Sequence, residues 1–300
     1  MSLLVVGSVA LDTVETPADT RENVLGGSAV YAAYAASFFC PVQLVGVVGE
    51  DWPEEHTRML AERNIGTEGL EVEAGGKTFR WTGKYHENMN TRDTLDVQLN
   101  VLEGFDPKLP EAYRRAQFVL LANGATETQL KVLEQCPGAD LVVADTMDLW
   151  ITTDRERLET LMQKIDGLVL NDSEAELLTD EGNMLTAAKK ILDMGPRFVV
   201  IKRGEFGCMF LGQHVMYLMP AFPTEKLIDP TGAGDCFIGA MMGYLAAHGS
   251  ADDAAIKRAL AYGTLVAGYD VEGFSLERLQ QITREEIDRR FQEFQGMVCF

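Results

Sequence analysis

Asp229-Pro230-Thr231-Gly232-Ala233-Gly234-Asp235 runs directly into Cys236-Phe237-Ile238-Gly239-Ala240-Met241-Met242-Gly243-Tyr244-Leu245-Ala246-Ala247-His248-Gly249. The second stretch is apolar and built of small residues, which predicts a buried helix stopped by Gly249. The first is then a glycine-rich turn emptying into a helix N-terminus. Backbone N–H groups at such a point lack intrahelical acceptors, and the helix dipole adds about half a positive charge. Gly232, Ala233 and Gly234 carry almost no side chain, so an anion can approach their amides closely. Asp235 sets a carboxylate at the mouth of that anion site. It has an ordinary use there as a capping residue. It has a chemical one as a base that takes a proton from a nucleophile about to attack a phosphate.

The composition narrows the surroundings of this turn. The chain has 300 residues, 46% of them hydrophobic, and a formal net charge of −20. That length fits one large α/β domain or two small ones. So acidic a chain is not built to neutralise nucleic-acid phosphates or to sit on an anionic membrane. The five cysteines (Cys40, Cys136, Cys208, Cys236, Cys299) are scattered without CxxC spacing, which points to reduced thiols and a cytoplasmic protein. The charge-free run from Ala29 to Gly49 is broken by Pro41 and Gln43, so it reads as a buried helix plus a buried strand rather than a membrane span. Gly75-Gly76-Lys77-Thr78 resembles the end of a Walker A loop, but Glu71 stands where its first glycine belongs and a strand follows. No GxGxxG follows the first strand, which argues against a dinucleotide dehydrogenase.

Along the chain, Leu3–Gly7 is a short strand of the buried parallel type, and Asp12 lies just beyond it. Gly26-Gly27-Ser28 opens an alanine-rich helix to about Phe39; a strand at Val42–Val48 and a helix from Pro53, with Asp51 as its cap, follow. Between Thr67 and Leu102 the period changes to two: Phe79, Trp81 and Tyr85 share one face, as do Leu95, Val97, Leu99 and Val101. Strand-like runs then return at Phe118–Ala122, Leu141–Asp145, Leu168–Leu170 and Phe198–Lys202, separated by helices, with capping boxes at Thr153/Glu156 and Thr283/Glu286. A hairpin is expected around Gly212. The expectation is one α/β domain over residues 1–300: a three-layer, doubly wound, mostly parallel sheet, with a small β lid from about 10–24 and 67–102.

Two further strand ends carry polar residues. Asn171-Asp172-Ser173-Glu174 closes one strand and opens an acidic helix, where helix capping alone would explain it. Lys202-Arg203-Gly204-Glu205-Phe206-Gly207 closes another, with Gly204 and Gly207 serviceable as turn glycines.

Residues 229–242 resemble, position for position, the C-terminal signature of the ribokinase-like (PfkB) carbohydrate kinases, and the likeness extends over nearly the whole chain. The resemblance implies an ATP-dependent kinase phosphorylating a hydroxyl of a sugar or related polyol, or of a nucleoside. It implies Asp235 as base, and the Gly232, Ala233 and Gly234 amides as the anion hole. Asn171 and Glu174 match the family's NxxE motif, which organises Mg²⁺ through water. Gly204 and Gly207 match its GxxG loop beside the ATP phosphates, with Lys202 and Thr231 as neighbours. Pro220–Leu227 and Ala259–Gly263 fall where the family encloses adenine. Asp229, with Thr231, matches a monovalent-cation (K⁺) site of some members. On the acceptor side Asp12, Gly26 and Gly27 match. Tyr31 stands where many members carry a sugar-binding asparagine, which leaves the acceptor open. Asn90, Arg92 and Asp93 at the lid turn are further acceptor contacts. The apolar lid faces within residues 77–101 need cover, and a second copy of the lid supplies it as a homodimer. A catalytically idle binding relative and a Rossmann-type oxidoreductase are the alternatives from other classes.

Overall fold

The computed structural model describes residues 1–298, so Cys299 lies outside the described residues. In chain order the strands are β1 (Leu3–Val6), β2 (Ala10–Glu15), β3 (Thr20–Gly26), β4 (Val42–Gly49), β5 (Ile65–Glu73), β6 (Arg80–Tyr85) and β7 (Arg92–Gln98). They continue with β8 (Phe118–Leu121), β9 (Leu141–Asp145), β10 (Gly167–Asn171), β11 (Phe198–Lys202), β12 (Cys208–Gly212) and β13 (Met216–Met219). The helices are α1 (Ser28–Ala36), α2 (Glu54–Glu62), α3 (Thr126–Gln135), α4 (Asp148–Thr153), α5 (Arg155–Met162) and α6 (Asp172–Thr179). After them come α7 (Met184–Asp193), α8 (Ala233–His248), α9 (Asp253–Asp270), α10 (Glu277–Gln280) and α11 (Arg284–Val298).

Nine strands form the main sheet in the order β13-β12-β11-β10-β9-β8-β1-β4-β5. Every pair from β11 to β5 is parallel, and the β12–β13 hairpin adds two antiparallel strands at one edge. Strands β1 and β8 at the centre are apolar at every position because both faces are covered. Leu3 and Val5 point into a core with α1, α8 and α9, whereas Leu4 and Val6 point into one with α3, α5, α6 and α7. Helices on both faces and a strand order that turns back beside β1 make this the expected three-layer doubly wound sheet. Such sheets bind ligands beyond the carboxyl ends of their strands. No helix among the described residues is long and apolar enough to cross a membrane.

A four-stranded sheet, β3-β2-β6-β7, stands over those carboxyl ends as the lid. Its boundaries differ from the sequence reading. Residues 65–73 form β5, which pairs parallel with β4 at the edge of the main sheet. An edge strand covered on one face alternates much as a lid strand does, so periodicity alone could not separate them. Phe79 precedes β6 and only bridges to Ala10, while Leu99 lies past the end of β7. Val101 sits in a 3₁₀ turn at Asn100–Leu102 and is buried in the main core. Asp51 does not cap α2: it accepts hydrogen bonds from the Thr78 amide at 2.7 Å and from Arg80 at 2.9 Å, tying the lid's base to the domain. The Thr153/Glu156 box is not formed either, since Thr153 ends α4 and its hydroxyl donates to the Leu149 carbonyl at 2.6 Å. The Thr283/Glu286 box is present, with reciprocal bonds of 2.8 and 3.4 Å.

Candidate active site

The glycine turn and α8 form the floor of the cleft. Gly232 caps α8 with φ of 85°, a left-handed conformation that favours glycine, and the ring of Tyr31 lies directly beneath it. A Cβ at Gly232 would overlap that ring. Asp235 lies in the first turn of α8, half-buried at the cleft, while the rest of the helix from Cys236 to Gly243 is buried. Below, Gly239 and Gly243 let α8 lie against α1: a Cβ on Gly243 would stand 2.7 Å from the Ala36 Cα. Burial pushes the Asp235 carboxyl up to about 7, and nearby Asp145 and Glu174 add to this, while Lys202 and Arg92 oppose it.

Three neighbouring parallel strands end beside this turn, β9 in Asp145, β10 in Asn171 and β11 in Lys202. The Lys202 ammonium lies 3.3 and 3.4 Å from the two Asp145 oxygens. Burial pulls Lys202 down, but Asp145, Glu174 and Asp235 together raise it, so it stays protonated. Asn171 and Glu174 form a reciprocal capping box: the Glu174 amide donates to Asn171 Oδ1, and the Asn171 amide to Glu174 Oε2, both at 2.7 Å. Burial lifts Glu174 to about 7. The capping reading holds; the cap keeps Glu174 within electrostatic reach of Lys202 and leaves its second carboxylate oxygen outside the box. Gly204 and Gly207 flank a 3₁₀ turn directly after Lys202. Residues 220–227 form an irregular segment, whereas Ala259–Gly263 are buried in α9, with Gly263 against Phe237 of α8.

The acceptor side starts from Asp12, only 4% exposed, whose Oδ1 has no partner. Burial raises its carboxyl to about 7, against the opposing backbone amides of Trp81 and Gly27. A Cβ at Gly26 would overlap this carboxylate, so the glycine is what lets Asp12 lie across β3. Tyr31 corrects the sequence reading: it is 1% exposed, with an unpartnered hydroxyl, and supports the turn from below instead of lining the cleft. Apolar residues surround α1 on all sides, so no face could be assigned from its sequence. In the lid, Asn90 donates to Glu205 of the 3₁₀ turn at 3.1 Å. Arg92 sits 5.9 Å over the Trp81 ring, close enough to influence Asp235. Asp93 pairs with His86 at 3.0 Å at the lid surface. Asp229 is fully buried; its Oδ1 accepts from the Thr231 amide at 2.9 Å and its Oδ2 has no partner.

A carboxylate beside helix-terminal amides, facing polar strand ends, is an arrangement suited to moving a phosphoryl group between oxygens. The family model for pfkB family carbohydrate kinases matches residues 2–277. The chain belongs to the PfkB family. A Thermococcus kodakarensis cytidine kinase is 29% identical over 253 residues, covering 83% of this chain and 88% of its own. A Giardia lamblia ribokinase superposes with a TM-score of 0.82 at 19% identity, covering 98% of this chain and 99% of its own. An Escherichia coli protein named as a ribokinase II, solved with ATP and Mg²⁺, superposes at 0.76 and 18% identity, covering 97% and 99%. This PfkB chain is thus a kinase of the sugar or nucleoside type.

Asp145 is the site residue that sequence reasoning missed. Its strand was legible, but its partner lies 57 residues away, and a carboxylate ending a buried strand has no local signature.

Proposed function

We propose that the chain transfers the γ-phosphoryl group of ATP to a hydroxyl of a small sugar-type acceptor, with Asp235 as the general base. The observation that carries this is Asp235 at the first turn of α8, beside the open amides of Gly232 and Gly234, with the Ala233 amide between them donating to the Pro230 carbonyl at 3.3 Å. Asp12, with Gly26 and Gly27 behind it, holds acceptor hydroxyls; one of these gives its proton to Asp235 as its oxygen attacks the γ-phosphorus. The bond from that phosphorus to the bridging oxygen breaks, its electron pair leaving with ADP. The amides take the charge on the transferring oxygens, and water leaves the cleft as the lid closes. Asn171, Lys202, Gly204, Gly207 and Thr231 flank the nucleotide phosphates. Arg92 and Asn90 reach the cleft from the lid.

Asp145, Glu174 and Asp235 outnumber Lys202, so triphosphate needs accompanying positive charge here. Among the described residues no three acidic, histidine or cysteine side chains are grouped to hold a metal. The free oxygen of Glu174, with Asn171, fits Mg²⁺ held through water and phosphate; when bound, the ion neutralises charge across the phosphates. The buried, unpartnered Asp229 Oδ2 fits a monovalent cation such as K⁺. Incubation with MgATP and a panel of sugars, nucleosides and inositols tests the proposal. ADP release that depends on one acceptor class supports it; release no faster than with water for every acceptor overturns it. The cytidine kinase relative, aligned over most of this chain, favours nucleosides as the second reading.

The same proposal includes a homodimer through the lid. Leu95, Val97 and Leu99 are 53, 48 and 39% exposed in and just past edge strand β7, an apolar rim that a second copy would cover. The described cysteines, all buried and unpaired, suit a reducing cytoplasm.

A further inference from the structure

The Asp145–Lys202 pair is not accounted for by stability. Their side chains are 5% and 18% exposed, and desolvating two charges offsets much of what their attraction returns. Its location suggests another use. The Lys202 Nζ lies 3.1 Å from where a Cβ of Gly234 would stand, so the ammonium rests on the anion-binding turn itself. Three carboxylates surround it, those of Asp145, Glu174 and Asp235, and Arg92 is the other cation that influences Asp235, from the lid. Among the described residues its one salt bridge is to Asp145. A flexible lysine left free here would pair with Asp235 and silence the base. Anchored to Asp145 at the end of β9, it stays on the turn and leaves Asp235 free.

We propose that Lys202 contacts the transferring phosphoryl group directly, and that Asp145 is the positioning residue that holds the ammonium over the turn until the phosphate arrives. No bond is made or broken by the pair; the ammonium keeps its proton and shares its hydrogen bonds between Asp145 and the phosphoryl oxygens. The inference rests on the kinase reading, and its test separates the two.

Titration calorimetry of the full chain with MgATP and MgADP isolates the terminal phosphate. Lys202→Met should weaken ATP binding about 10- to 100-fold, the scale of one charge-assisted hydrogen bond, and ADP binding by less than about threefold. Lys202→Arg should restore most of the preference for ATP. Because Lys202→Met strands Asp145 in the interior, the double variant Lys202→Met with Asp145→Asn removes both charges. It should show the same ATP-specific loss at a near wild-type melting temperature. Asp145→Asn alone should bind ATP at least as tightly as wild type, with kcat lowered about tenfold or more by the misplaced ammonium. Equal losses for ATP and ADP in the double variant, unchanged affinities for both, or a wild-type kcat in Asp145→Asn would each overturn the proposal. A wild-type chain that binds neither nucleotide overturns the kinase reading as well. One that binds and turns over ATP, but keeps its ATP preference without Lys202, overturns this inference alone.

Discussion

In the floor of the cleft every residue of α1 is buried, and α8 is buried from Cys236 to Gly243; in the lid every residue of β7 is exposed. The floor is fixed by close-packed side chains, whose geometry changes only at a cost of kilocalories. Within the lid, β2 and β6 are anchored by the buried cluster of Val14 and Tyr85 with Phe274. Outer strand β7 and the turn before it are fixed by backbone pairing and a few surface contacts, such as Trp81 with Thr94 and Asn90 with Glu205. Contacts of that kind are individually weak, so the outer edge of the lid is the part able to open locally while the floor stays intact. On the proposed mechanism, phosphoryl chemistry, which depends on placement, sits in the floor, and admission of the acceptor falls to the lid.

Removing the base breaks the comparison most sharply on the floor side. Asp235→Asn should lower kcat by roughly 10² to 10⁴ while leaving the melting temperature and ATP affinity nearly unchanged. A variant keeping more than about a tenth of wild-type turnover, with chemistry rate-limiting, removes Asp235 from the mechanism.

The pH profile gives the same residue a signature. With its carboxyl pushed up to about 7, the base is protonated at low pH, so kcat/KM should rise with pH through about 7 and then level off. Stability should run the other way. Asp12 and Asp235 both hold raised values in the folded chain, so the unfolded chain ionises first. Their contribution is whole below about pH 4 and is lost as pH rises through about 7. Rate profiles and thermal melts between pH 4 and 9 check both signs.

Tyr31→Ala should cost about 3 kcal/mol or more by opening a cavity under Gly232, and should reduce turnover of all acceptors alike. A change confined to acceptor choice would mean that Tyr31 faces the cleft.

The lid should respond differently. Trp81 and Val97 are paired across β6 and β7, and the double change Trp81→Glu with Val97→Glu should raise the acceptor KM and yield monomers with a folded core. Wild-type protein sedimenting as a monomer at tens of micromolar ends the dimer proposal. The smallest effect is reserved for Asn90→Ala, which loses one exposed hydrogen bond to Glu205 and should shift either KM by less than about threefold.

The same contrast governs what could be read from sequence. The floor was legible because its parts are contiguous: glycine turn, carboxylate and apolar helix follow one another within residues 229–249. Asp145 was not, because its role depends on Lys202, which the fold brings from another strand. The facing of Tyr31 was hidden by a helix apolar on every side. In the lid, alternation revealed strands but not their sheet, and the register shift between Thr82 and Gly83 interrupts the alternation on which a shared face was inferred.

Gly239 and Gly243 place α8 against the backbone of α1, the helix that starts directly after Gly26 and Gly27. On the proposed mechanism one of these helices carries the donor's anion turn and the other begins at the acceptor's seat. Their common seam therefore acts as a ruler between the two oxygens that exchange phosphorus. A residue with a side chain at either glycine lengthens that ruler. Redesign toward larger acceptors has to find its room under the lid, because the gap across which phosphorus travels is set by two absent side chains in the middle of a helix.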